Sequence, residues 1–298
     1  MIKILKNKLQ MKFIIFLSCV VLILLFSIIF NKEGTLFDNT IPDSAYQITK
    51  NISYNGNFAD IVIDKPEGNK FDVLMIFHGT VGYDNLIMQA AHDALNGFKN
   101  VLDKDDVMLV SVAYPQETLL FGDGIQQGET ALLWLQNKAQ DELQINIRKI
   151  FLAGHSQGGY MVTRLNTMHT TDGVIANAPG PLDLKFRCEL EEDGRMQRGQ
   201  VCMVLQDEYG LPSVNPAPYY KRSLRNYVTG HKSDILFIQG LNDSPTQMNS
   251  WSTFKEGLLN CNTCQDIQFL ELPNDGHNAL FISTKAKTEF NNFINSRR

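Results

Sequence analysis

The sequence predicts an α/β fold, a mostly parallel sheet with helices on both faces and one lid-like insertion. Three observations carry this expectation. Short apolar runs alternate with segments of helical period along most of the chain. The length, 298 residues, suits one large α/β domain. The composition, 44% hydrophobic, 20% charged and 10% aromatic, excludes a disordered or collagen-like chain.

Taken in order, residues 1–12 form a basic tail with Lys3, Lys6, Lys8 and Lys12 and no acid. The run Phe13–Phe30, FIIFLSCVVLILLFSIIF, is 18 residues without a charge. As a helix it would cover roughly 27 Å of hydrocarbon. It lacks a small-x-small cleavage site, so it reads as a transmembrane signal-anchor and not as a cleaved leader. The lysines ahead of it put the N-terminus in the cytosol and the rest of the chain outside, on the periplasmic or extracellular side. Residues 31–45 read as a linker to a domain over 46–298.

Within that domain, two modest strand patterns lie around Ile48–Tyr54 and Phe58–Ile63. Buried strands are expected at Val73–Phe77, Val107–Ala113, Lys149–Ala153, Val174–Ala178, Ile235–Ile238 and Ile267–Leu272. Helices are expected at Leu86–Phe98, Gly128–Leu143, Gly158–Thr167, Gln247–Leu259 and Ala279–Ile294, where apolar residues recur three and four apart. Strand-helix alternation of this kind feeds parallel pairing through crossover helices. The stretch 179–233 is too long for a plain connection and is expected to be a lid-like insertion.

Lys and Arg number 27 against 32 Asp and Glu, a formal net charge of -5, which argues against nucleic acid as a partner. Five cysteines are present. Cys19 falls in the apolar run, leaving Cys188, Cys202, Cys261 and Cys264. An even four in an exported domain predicts two disulfides, and short loops favour Cys188 with Cys202 and Cys261 with Cys264. CNTC could instead be a redox motif or half a zinc site, but no second Cys or His cluster lies near it.

Residues 149–160, KIFLAGHSQGGY, place Gly154-His155-Ser156-Gln157-Gly158 between a strand and a helix. A serine on such a turn sits where side chains two positions away would strike neighbouring backbone, so Gly154 and Gly158 are needed there. The helix N-terminus also aims free N–H groups at developing negative charge. A serine hydroxyl is nearly unionised at neutral pH and requires a base with an acid behind it. His277 lies in PNDGHN after the last strand, and Asp243 follows the strand DILFIQG. Asp183 is the rival acid, one strand earlier. His169, His231 and His155 read as structural, and Asp275 as a loop-shaping residue.

These residues, with His78-Gly79-Thr80, Gly159-Tyr160, Gly240-Leu241-Asn242-Asp243 and Asp275-Gly276-His277, resemble the α/β-hydrolase superfamily, and within it prolyl oligopeptidase-family catalytic domains and related esterases. The resemblance spans roughly residues 73–296. It implies an α/β-hydrolase fold with Ser156, Asp243 and His277 as a triad and with the N–H groups of Gln157 and Thr80 as the oxyanion hole. His78 and Gly79 would support that loop. The implied activity is cleavage of carboxylic ester or related acyl bonds on small-molecule acyl substrates, without cofactor or metal. A peptidase or acyl-peptide hydrolase is the first alternative, although the chain has no room for a propeller domain and carries His-Gly-Thr where many relatives have His-Gly-Gly. A catalytically silent binding module is the second. The oligomeric state is left open by the sequence.

Overall fold

The computed structural model describes residues 44–115 and 120–298. The basic tail, the apolar run 13–30 and nearly all of the linker lie outside the described residues. Among those described, no helix is long and apolar enough to cross a membrane.

The chain opens with β1 (Tyr46–Tyr54) and β2 (Asn57–Lys65), joined by Asn55-Gly56. Both turn residues have positive φ, 50° and 82°, the backbone that a two-residue hairpin needs. There follow β3 (Lys70–Phe77), α1 (Ile87–Lys99), β4 (Val107–Ala113), α2 (Ile125–Asn137) and α3 (Ala139–Leu143). The centre of the chain gives β5 (Asn146–His155), α4 (Gln157–Met168) and β6 (Gly173–Asn177). The insertion carries α5 (Leu184–Glu192), α6 (Gln200–Tyr209) and α7 (Ala217–Lys221). Last come β7 (Ile235–Gly240), α8 (Pro245–Leu259), β8 (Ile267–Leu272), α9 (Ala279–Ile282) and α10 (Thr284–Asn295).

The eight strands form one sheet in the order β1-β2-β4-β3-β5-β6-β7-β8. β2 is antiparallel to both β1 and β4, and all other pairs are parallel. Alternation along the strands divides the core between the two faces. Leu236 and Ile238 of β7 join Ala91, Leu95 and Phe98 of α1 and Phe290, Phe293 and Ile294 of α10. Phe237, between them, turns to the opposite face and meets Phe254 of α8 edge-on, with ring centroids 5.5 Å apart.

Two of the expected helices are divided. The segment expected as one helix over 128–143 starts three residues earlier and breaks at Lys138, which leaves helical geometry at φ -130°. Ala139 and Leu143 of α3 are buried beyond the break, as Leu132 and Leu135 of α2 are before it. The C-terminal helix is interrupted at Ser283, whose hydroxyl accepts from the N–H of Ala286 at 3.4 Å and caps α10. In both, apolar period persists through the break, so period alone joins the pieces.

The four parallel strands β3, β5, β7 and β8 end at the same edge, and the loops leaving them hold Thr80, Ser156, Asp243 and His277. The insertion leaves the carboxyl end of β6 at that edge too.

Candidate active site

Ser156 lies between β5 and α4 with φ 58° and ψ -117°, a left-handed backbone that a non-glycine residue adopts at a cost of order 1–3 kcal/mol. Hydrogen bonds on both sides over-determine it. Its N–H donates to Asn177 O at 3.0 Å, and its carbonyl accepts from Tyr160 N–H and Gly180 N–H, each at 3.1 Å. The flanking glycines are required by backbone proximity. A Cβ on Gly154 would stand 2.1 Å from Gly158 O, and one on Gly158 would stand 1.9 Å from Phe77 O. Gln157 is the first residue of α4 and is buried, so its N–H is among the four that a helix leaves without an internal acceptor.

His277 Nδ1 is 2.8 Å from Asp243 Oδ2. The Asp243 side chain is 3% exposed and that of His277 is 43% exposed. Burial pulls the Asp243 pKa up. Hydrogen bonds from His277 and the Ser244 N–H, the nearby imidazole charge and a bond from Gln239 outweigh it and hold the carboxyl below its ordinary value. An ionised carboxylate only accepts, so Nδ1 of His277 carries the proton in this bond. Gln239 Nε2 reaches Asp243 Oδ2 at 3.1 Å, while Gln247 Nε2 donates to Gln239 Oε1 at 3.0 Å and to Pro179 O at 2.9 Å. Gln239 and Gln247 were not singled out in the sequence. The signal was there, a glutamine inside the buried run ILFIQG, where a polar side chain needs a partner.

The His78-Gly79-Thr80 loop packs against the elbow. A Cβ on Gly79 would lie 3.6 Å from Ser156 Cβ, and Thr80 lines the same cavity as Ser156. His78 is buried, with Nδ1 2.7 Å from Gly79 O, Nε2 accepting weakly from Tyr114 N–H at 3.4 Å, and the ring stacked on Tyr114 at 4.4 Å. The Tyr114 hydroxyl closes the arrangement on the His78 carbonyl. Burial lowers the His78 pKa to about 4, so the ring is neutral at pH 7 and fixes the loop.

Ser156, Thr80, Asp243 and His277 line one cavity of about 470 Å³, within the range of small-ligand sites. The insertion supplies much of the wall, with Pro181, Leu182, Asp183, Leu184, Arg187 and Val201. Disulfides join Cys188 to Cys202 and Cys261 to Cys264. The first ties α5 to α6 beside two wall residues, Arg187 and Val201.

The rival groups are engaged elsewhere. Asp183 caps α5 by accepting from Phe186 N–H at 3.0 Å and pairs with Arg225 at 2.5 Å. His169 pairs with Glu129 at 2.6 Å, and His231 is buried against Tyr227 O and Asn166. Asp275 O accepts from Asn242 N–H at 2.9 Å, which ties the loops carrying the acid and the base together. His155 is packed beside the turn, as expected, but its ring also lies 4.8 Å from that of His277 and meets Phe281 edge-on. Burial, aided by the charge of His277, lowers its pKa to about 4.

No family model matches the sequence, and no curated protein matches it. Among solved structures, the chain is similar to a Rhizomucor miehei esterase at 13% identity, with a TM-score of 0.62, covering 86% of this chain and 84% of that one. It is similar to an esterase of Pyrobaculum calidifontis at 15% identity, with a TM-score of 0.61 and 84% of each chain covered. It is similar also to the acylaminoacyl peptidase of Pyrococcus horikoshii at 15% identity, with a TM-score of 0.59, covering 91% of this chain but 43% of the peptidase. With these esterases and peptidases the chain shares the α/β-hydrolase fold.

Proposed function

We propose that the protein is a serine hydrolase that cleaves carboxylic esters through Ser156, His277 and Asp243 by way of an acyl-enzyme. The observation that carries this reading is the meeting, in one cavity, of a serine on a strained strand-to-helix turn with an imidazole oriented by a buried carboxylate. In the first step His277 Nε2 takes the Ser156 Oγ proton as Oγ bonds to the substrate carbonyl carbon. The carbonyl π pair moves onto oxygen, where the N–H groups of Gln157 and Thr80 receive it. One such donor is worth about 3 to 4 kcal/mol in the transition state. Collapse breaks the carbon–oxygen bond to the leaving alcohol, which takes the proton from Nε2. Water then repeats the sequence against the acyl-enzyme, giving the carboxylic acid and free Ser156.

Esters are proposed first and peptides second, since both esterases and an acylaminoacyl peptidase are among the proteins of this fold. Turnover of a panel of nitrophenyl esters and aminoacyl amides tests this. Ester cleavage abolished by Ser156→Ala is expected; cleavage of the amides alone would favour the peptidase reading, and cleavage of neither would favour a silent binding module.

The setting is proposed as a membrane surface outside the cytosol. Its support is the uncharged run 13–30, the lysines ahead of it and two disulfides in the described domain, a pairing typical of oxidising compartments.

A further inference from the structure

Among the described residues, Arg187 is the single Lys or Arg lining the Ser156 cavity. It stands on α5, and its Nε donates to Glu191 Oε1 at 3.1 Å. The Glu191 side chain is 1% exposed, and its other oxygen accepts from Gly199 N–H at 2.8 Å. Both Glu191 oxygens are therefore engaged, one by the guanidinium and one by the Gly199 N–H. The backbone around it is fixed as well, because Cys188, next to Arg187, is bridged to Cys202, next to Val201 of the same wall. A side chain free to wave in solvent would need none of this.

Each charged group at the cavity has a partner, yet only Arg187 keeps donors to spare. Asp183 is satisfied by Arg225 and by the Phe186 N–H, and Asp243 by His277, Gln239 and the Ser244 N–H. The terminal amino groups of Arg187, on a side chain 36% exposed, donate to no other described residue. Those two groups form half of the planar fork that fits a carboxylate, and the other half is committed to Glu191.

We propose that Arg187 is a specificity-determining residue that binds a carboxylate on the substrate, making acidic esters the preferred substrate class. This rests on the hydrolase reading above. The carboxylate is remote from the scissile bond, so its binding should appear chiefly in KM.

The test uses the full chain and two matched pairs of esters, followed by proton release at constant pH. Monoethyl adipate against ethyl hexanoate places the charge on the acyl side, and 4-acetoxybutyrate against butyl acetate places it on the alcohol side. The charged member of at least one pair should be favoured at least tenfold in kcat/KM. Because Arg187→Gln alone would strand a buried carboxylate, the main variant is the double substitution Arg187→Gln with Glu191→Gln. It should lower the charged-to-neutral ratio about thirtyfold, the loss expected for a charge-assisted pair. Arg187→Lys, which keeps the charge without the fork, should fall between. Equal use of charged and neutral members in both pairs, or a ratio unmoved in the double variant, overturns the proposal while leaving the hydrolase reading intact. Failure of all four esters together with failure of a fluorophosphonate to label the protein would overturn both.

Discussion

Asp243 and Asp183 both line the cavity, and their partners separate them. Asp243 accepts from His277, while Asp183 accepts from a helix N-terminus and an arginine. Asp243→Asn should therefore cut turnover by several orders of magnitude, through loss of both imidazole orientation and imidazolium stabilisation. Asp183→Asn should stay within about tenfold in turnover and lose at most about 1 kcal/mol of stability, through the weakened pair with Arg225, since Asn caps a helix as well as Asp. Steady-state kinetics on the two purified variants distinguishes them. The opposite ranking would move the acid one strand back.

Two buried histidines, His78 and His231, and the half-buried His155 set a second expectation at the residue scale. Burial is the leading cause by which His78, His155 and His231 are lowered to about 4. Each takes its proton near pH 6.5 in the unfolded chain and only near 4 in the folded one. Between these values the unfolded state binds more protons, so stability is complete above about pH 6.5 and falls as pH drops towards 4. Each histidine contributes up to about 3 kcal/mol to that loss. Urea denaturation at pH 7.5, 5.5 and 4.5 should show a declining midpoint, and a midpoint constant over that range would contradict the burial assigned to these rings.

At the scale of elements, the elbow and the cavity wall hold their shapes for different reasons. The elbow is backbone against backbone. Gly158→Ala would push a methyl carbon into Phe77 O, so the strand and helix cannot both keep their places. A loss of more than about 3 kcal/mol is expected in chemical denaturation, with turnover falling alongside it. The wall is held by a cross-link. Cys188 and Cys202 are 14 residues apart, and removing a bridge that closes a loop of this size costs about 3 kcal/mol. The double variant Cys188→Ser, Cys202→Ser should show that loss, whereas opening Cys261–Cys264, which spans only three residues, should cost less.

The elements also show what the sequence could and could not yield. Strands β3 to β7 were legible because their centres are buried on both faces, leaving short unbroken apolar runs such as VLMIF and VIANA, while the edge strand β8 showed as the interrupted run IQFLEL, of which Leu272 alone is buried. The glycine spacing around Ser156 was legible because steric exclusion permits no other residue there. The division of helices at Lys138 and Ser283 was not, since apolar period continues across both. Nor were the three helices of the insertion. Their side chains face a disulfide, an arginine–glutamate pair and a cavity, a mixture without an apolar stripe to read. Gln239 is marked only by its place in the apolar run ILFIQG, and its partner Gln247 by nothing, because a hydrogen-bonded polar pair inside a core leaves no periodic trace.

For the whole molecule, the sheet brings loops separated by nearly two hundred residues of chain to one edge, so the site exists only when the sheet is complete. The proposed membrane setting rests on the apolar run 13–30, which lies outside the described residues. The full chain is expected to sediment with membranes and to resist alkaline extraction, while a chain beginning at Pro42 should remain in the supernatant. A phosphatase reporter placed after Arg298 should be active, and a cytosolic reporter there dark. The reverse pattern would put the domain on the other side.

In the proposed reaction Ser156 becomes acylated with the help of His277 and Asp243. Its most direct measurement is the intact mass of the protein after exposure to a fluorophosphonate, with the modified peptide then sequenced. One phosphonyl adduct per chain, located on Ser156, lost in Ser156→Ala and formed much more slowly in His277→Ala, is the result predicted. An adduct on another residue, or labelling that persists in Ser156→Ala, would contradict the account.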